Sequence, residues 1–199
     1  VQLLLNNMKL EDINHKDRYG DTPLDCCDNE SSIRQQLLDL IRRNGGKRAS
    51  ELAEAERING IRSLPKEKLK ELYNTLIEKY KKEFPKGTPL VCACEKGRVE
   101  DVEGMIRGAR AAGMDVTAMV SEVGTASHCT SWTPLMAAAY YEHSTIIEIL
   151  LQYNADTATT NENGENALHY AAYYNETTTT TVQLLLNNMK LEDINHKDR

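Results

Sequence analysis

The tripeptide Thr-Pro-Leu occurs at Thr22, Thr88 and Thr133, and small residues or cysteines follow it each time. Asn166-Ala167-Leu168 continues the series with Asn in place of Thr. Internal repetition constrains a fold more strongly than any single motif. From Thr88 to Thr133 is 45 residues, from Thr133 to Asn166 is 33, and from Thr22 to Thr88 is 66. Thr suits a helix N-cap, and Pro suits the first helical turn, where its missing N–H is not needed. Downstream segments such as Ile146, Ile149 and Leu150 have the spacing of one helix face. Each unit therefore reads as two short helices, neither of which buries its apolar face without neighbours.

A second, longer repetition frames the first. Residues 1–18 and 182–199 both read VQLLLNNMKLEDINHKDR, identical at 18 of 18 positions and offset by 181. Carried into a following copy, the spacing from Asn166 to the next Thr22 is 37, and the series closes in register. Its extra four residues are expected at Thr177–Thr181, an exposed turn between helices. Val1–Met8 reads as a second helix without a preceding first helix, whose leucines another copy would cover. The chain opens on Val, and the expectation is a piece cut from a longer tandem array.

Four segments carry the unit pattern. They begin at Tyr19 (YGDTPLDCC), Lys86 (KGTPLVCAC), Ser131 (SWTPLMAAA) and Gly164 (GENALHYAA). With Ile149-Leu150-Leu151 and Asn154-Ala155-Asp156 after the second helix, these segments resemble ankyrin repeats. The resemblance covers roughly two thirds of the chain. It implies an all-α helical solenoid with hairpin loops, to which one additional amphipathic helix is joined. The expected organisation is a half repeat, one full repeat and a degenerate repeat (KRASELAEAERINGI) over residues 1–64. A connecting helix follows over 65–85, then three repeats over 86–199. In such proteins the first-helix face and hairpin tips line a concave surface that captures protein partners. The resemblance therefore points to Tyr140, Tyr141, Tyr173 and Tyr174, which end two first helices and are either partner anchors or ordinary packing between stacked units, and to Arg18 and Tyr19 at a hairpin tip.

Composition narrows the partners. The net charge of −6 gives no overall attraction to nucleic acid. No apolar run approaches the roughly 20 residues that span a bilayer. The five cysteines, Cys26, Cys27, Cys92, Cys94 and Cys129, are odd in number and clustered, which suits reduced buried thiols better than a disulfide framework. Free thiols favour the cytoplasm. The sequons at Asn29 and Asn175 keep a secreted setting open, and there both residues would be glycosylation acceptors.

Candidate chemistry is sparse. Cys92 and Cys94 with His128 and Cys129 offer soft metal ligands, but their spacing suits small helix residues better than zinc. Cys129 and His128 are adjacent, a poor geometry for a nucleophile and its base. Asn44-Gly45-Gly46-Lys47 lacks the full phosphate-loop pattern and reads as a glycine helix stop. His143 and His169 read as structural. In the connecting helix, Leu69, Leu72, Tyr73, Leu76, Ile77 and Tyr80 form one apolar stripe, while Lys66, Lys68, Lys70, Lys79, Lys81 and Lys82 lie on its other faces. Those lysines are either a solvated face or a docking surface for an acidic partner. Neither an enzyme nor a cofactor is expected. Two functions fit. One is a non-catalytic structural unit whose copies stack head to tail into a long solenoid or filament. The other is a scaffold or adaptor that captures an unknown protein on its concave face.

Overall fold

The computed structural model describes residues 9–24, 40–43, 46–126, 130–174 and 180–194. The chain divides into two compact units, Val1–Asn59 and Gly60–Arg199. The division falls inside the helix Ala49–Arg62.

In the first unit, helix α1 (Leu10–Ile13) buries Ile13. The following loop is a tight hairpin. The Asp17 amide donates to the Asp21 carbonyl at 2.9 Å, and the Asp17 carboxylate accepts from the Tyr19 and Asp21 amides at 2.8 and 3.1 Å. Gly20 adopts φ +91°, open to glycine at no steric cost. The loop delivers Thr22 and Leu24 to the interior, both fully buried. Further on, the Gly46 amide donates to the Ile41 carbonyl at 2.9 Å, the reach of a helix-ending glycine motif. The expected degenerate repeat is instead one continuous helix, α2 (Ala49–Arg62). Its sequence ASELAEAERINGIR has no Pro, and Gly60 lies in its last turn, so nothing breaks it into two.

In the second unit, α3 (Lys66–Glu83) is the additional amphipathic helix. It buries Leu69, Leu76 and Tyr80. Three helix pairs follow: α4 (Pro89–Glu95) with α5 (Val99–Ala111), α7 (Pro134–Tyr140) with α8 (Ser144–Gln152), and α9 (Ala167–Tyr174) with α10 (Thr180–Leu186). The first helices α4, α7 and α9 pack side by side, and α8 packs against both α5 and α10. Cys92, Ala93 and Cys94 in α4, and Ala137, Ala138 and Ala139 in α7, are fully buried, which lets the first helices approach closely. The short helix α6 (Val116–Ser121) follows α5, and α11 (Leu191–Ile194) follows α10. A 13-residue α5 together with α6 accounts for the longer 45-residue spacing from Thr88 to Thr133.

The same turn is built twice. The Arg98 amide donates to the Ala93 carbonyl at 3.1 Å across Gly97, and the His143 amide donates to the Ala138 carbonyl at 2.9 Å across Glu142. Gly97 has φ +64° and Glu142 has φ +58°, so the second turn holds a non-glycine residue in the left-handed region. The second helix of a pair ends similarly. The Ala155 amide reaches the Leu150 carbonyl at 3.0 Å over Asn154, whose φ is +60°.

Two expectations need correction. Thr88 does not cap α4 with its hydroxyl; that oxygen accepts from the Thr125 amide at 3.1 Å instead, because the hairpin loop passes beside it. Thr181 is not in an exposed turn. It is helical and fully buried, one turn before buried Leu185 on the same face of α10. Val1–Met8, the sequon residues Asn29 and Asn175, and Thr177–Thr179 lie outside the described residues.

Candidate functional site

Hairpin loops lead into the first helices and set the positions of the aromatic side chains. Gly124 and Trp132 pair as an antiparallel bridge, with amide-to-carbonyl distances of 2.7 and 3.0 Å. Thr133 then caps α7 by accepting from the Met136 amide at 3.1 Å. Asn166 does the same for α9: its Oδ1 accepts from the Leu168 and His169 amides at 3.0 and 3.2 Å. Its Nδ2 donates to the Asp193 carbonyl at 3.0 Å, and so ties α9 to the short helix α11. Nδ1 of His169 lies 2.8 Å from Asn166 Oδ1.

These caps hold an aromatic cluster. The Trp132 ring lies 5.2 Å from Tyr140 and 5.1 Å from Tyr170, and Tyr140 lies 4.7 Å from Tyr141. Trp132 and Tyr170 are buried. The Tyr170 hydroxyl accepts from Trp132 Nε1 at 3.0 Å and from Asn161 Nδ2 at 2.7 Å, and donates to the Glu165 carboxylate at 3.0 Å. The hydrogen bond from Asn161, followed by that from Tyr170, holds the Glu165 carboxyl below its usual range. The Asn161–Glu165 loop repeats the Asp17–Asp21 hairpin. Asn161 N donates to Glu165 O at 2.9 Å, and Asn161 Oδ1 accepts from the Asn163 and Glu165 amides.

Of the residues singled out in the sequence, Tyr140 is half-buried in this cluster, whereas Tyr141 is 39 % exposed and Tyr173 is 79 % exposed. The backbone of Tyr174 ends α9. Arg18 and Tyr19 belong to the first unit, where the guanidinium sits 4.7 Å over a ring that is 73 % exposed. Trp132 and Tyr170 were not singled out, although the single Trp beside a Thr-Pro-Leu was the available signal.

The family model of ankyrin repeats (3 copies) matches residues 113–198. Residues 113–198 are thus an ankyrin-repeat array. The curated proteins include no match to it. Ankyrin repeats serve in general as protein-interaction scaffolds rather than catalysts. The repeat frame also explains His143, at the junction of α7 and α8. Its Nε2 lies 3.3 Å from the Glu95 carbonyl of the preceding repeat, and burial pushes its pKa down.

The cysteines of the array follow the same logic. Cys92 and Cys94 are free and buried in α4. Burial, with the Glu95 charge nearby, pushes the Cys92 thiol up to about 11, and burial pushes Cys94 higher. Thiolates are the nucleophilic and metal-binding form, so both positions are suited to packing. Among the described residues no three His, Cys, Asp or Glu side chains gather as a metal site. His128, Cys129, Cys26 and Cys27 lie outside the described residues, as do Asn44 and Gly45. Among the described residues no helix is long and apolar enough to cross a membrane.

Proposed function

We propose that the chain is a protein-binding scaffold whose first-helix edge, bearing Tyr141 and Tyr173, captures a protein partner. The observation that carries this reading is a contrast among the aromatic side chains of two adjacent repeats. Trp132, Tyr140 and Tyr170 are locked by packing and hydrogen bonds, while Tyr141 and Tyr173 at the ends of adjacent first helices keep large exposed surfaces. Exposed tyrosines on a rigid support are favoured anchors, because little conformational freedom is lost when a partner covers them. Arg18 and Tyr19, at the hairpin tip of the first unit, are proposed as further contacts on the same family logic. The test is affinity capture with the whole chain and with Tyr141→Ala/Tyr173→Ala. A partner retained by the first and lost by the second supports the edge; equal recovery with both rejects it.

A second reading rests on the duplicated 18 residues and on the matched hairpins at Asp17–Asp21 and Asn161–Glu165. Copies of the 181-residue period join head to tail, each continuing the repeat series of the last. Negative-stain microscopy of two joined periods should show a particle about twice the length of one. Two separately tumbling particles on a flexible join would reject it.

A further inference from the structure

Helices α3 and α5 cross antiparallel, and the two ends of the crossing differ in charge. At one end opposite charges pair: Lys79 with Asp101 at 2.7 Å, and Arg98 with Glu83 through two bonds of 2.7 and 2.8 Å. At the other end Lys66, Arg107 and Arg110 line a depression of about 300 Å³ with Leu69 and Ala111, and no carboxylate lines it. The close approach is built by glycine. A Cβ on Gly108 would lie 2.5 Å from the Leu69 carbonyl and from Tyr73 Cβ, so only glycine brings Arg107 and Arg110 this near to Lys66.

The cations have too few partners. Glu103 is fully buried and takes Arg62 at 2.7 Å and Arg107 at 3.8 Å. Arg62 and Arg107 therefore share one carboxylate, and Lys66 and Arg110 beside them add two further positive charges, on a chain whose net charge is −6. Arg107 gives Nη2 to the Arg62 carbonyl at 3.1 Å and Nη1 to the Tyr153 hydroxyl at 3.5 Å, while its Nε–H is buried and has no acceptor among the described residues. Lys66 and Arg110 form no ion pair with any described residue. Arg110 also lines an adjoining groove with Asp115, whose carboxylate accepts from the Ala118 amide at 3.1 Å.

The geometry points to an anion site, and to a small, multiply charged oxyanion of the phosphate class as its ligand. Guanidinium groups match phosphate oxygens in pairs, and the lysine adds a mobile charge. A single carboxylate would leave most of this positive charge unanswered, whereas a diphosphate-sized group suits both the charge and the volume. This site goes beyond partner capture at the tyrosine edge and does not depend on it.

Calorimetric titration of the whole chain with pyrophosphate tests the assignment. Saturable binding is expected, and Lys66→Gln/Arg110→Gln should weaken it by about tenfold or more, since two of three lining charges are lost. Both side chains are exposed, so the melting temperature of the free protein should stay where it is. Lys81→Gln/Lys82→Gln removes equal charge from the far end of α3 and should leave binding intact. Absence of saturation, unchanged binding in the first variant, or equal loss in both variants overturns the site. Capture on phosphoinositide vesicles without binding of free pyrophosphate also overturns it, in favour of a membrane ligand.

Discussion

The indole N–H of Trp132 donates to the phenolic oxygen of Tyr170 at 3.0 Å, joining two consecutive repeats across 38 residues of sequence. Tyr170→Phe keeps the ring and removes the oxygen, which strands the Trp132 donor in a buried site. A loss of about 1–3 kcal/mol is expected. Urea unfolding followed by Trp132 fluorescence measures it; an unchanged midpoint would show that the bond contributes nothing net.

Gly108 and Gly60 are both helical glycines in opposite surroundings. Gly108→Ala should destabilise by about 1–3 kcal/mol because α3 and α5 must separate. Gly60→Ala meets nothing within 4 Å and should stabilise by up to about 1 kcal/mol through helix propensity. Thermal melts of the two variants should move in opposite directions.

Glu142 sits in the left-handed region where the equivalent turn has Gly97. Glu142→Gly should therefore be neutral or stabilising by roughly 0.5–1 kcal/mol despite the loss of a side chain. A clear fall in stability would mean that contacts of the Glu142 side chain outweigh the strain.

Burial lowers the His143 pKa from 6.5, so the unfolded chain binds the proton more readily. Its contribution to stability is complete above the unfolded value and is lost as pH falls through that value toward the folded one. Urea midpoints at about pH 7.5 and about pH 5.5 should drop for the natural chain, and drop less for His143→Gln. Equal drops would assign the effect to carboxylates.

Cys92 and Cys94 should resist alkylation at neutral pH and react once the array is unfolded, because both thiols are buried and held protonated. Peptide mass spectrometry after timed labelling distinguishes these two from the other cysteines. Rapid labelling of the native chain would contradict their burial.

The repeat frame was legible in the sequence because its signals are local. Thr133 and Asn166 cap helices that begin one residue later, and the three alanines of α7 need only be small to be buried. Asn154 ends its helix through its own backbone conformation, a property of one residue and its neighbours. The contacts across the array were not legible. Trp132 finds Tyr170 only after two repeats stack, and Lys66 meets Arg107 and Arg110 only where Gly108 lets two helices touch. Thr88 obeys the capping rule in sequence and breaks it in the fold, because a passing loop offers its hydroxyl a better donor. Periodicity thus determined which segments become helices and how they alternate. Which side chains share a surface was decided by how closely those helices pack, a distance that no spacing along the chain encodes.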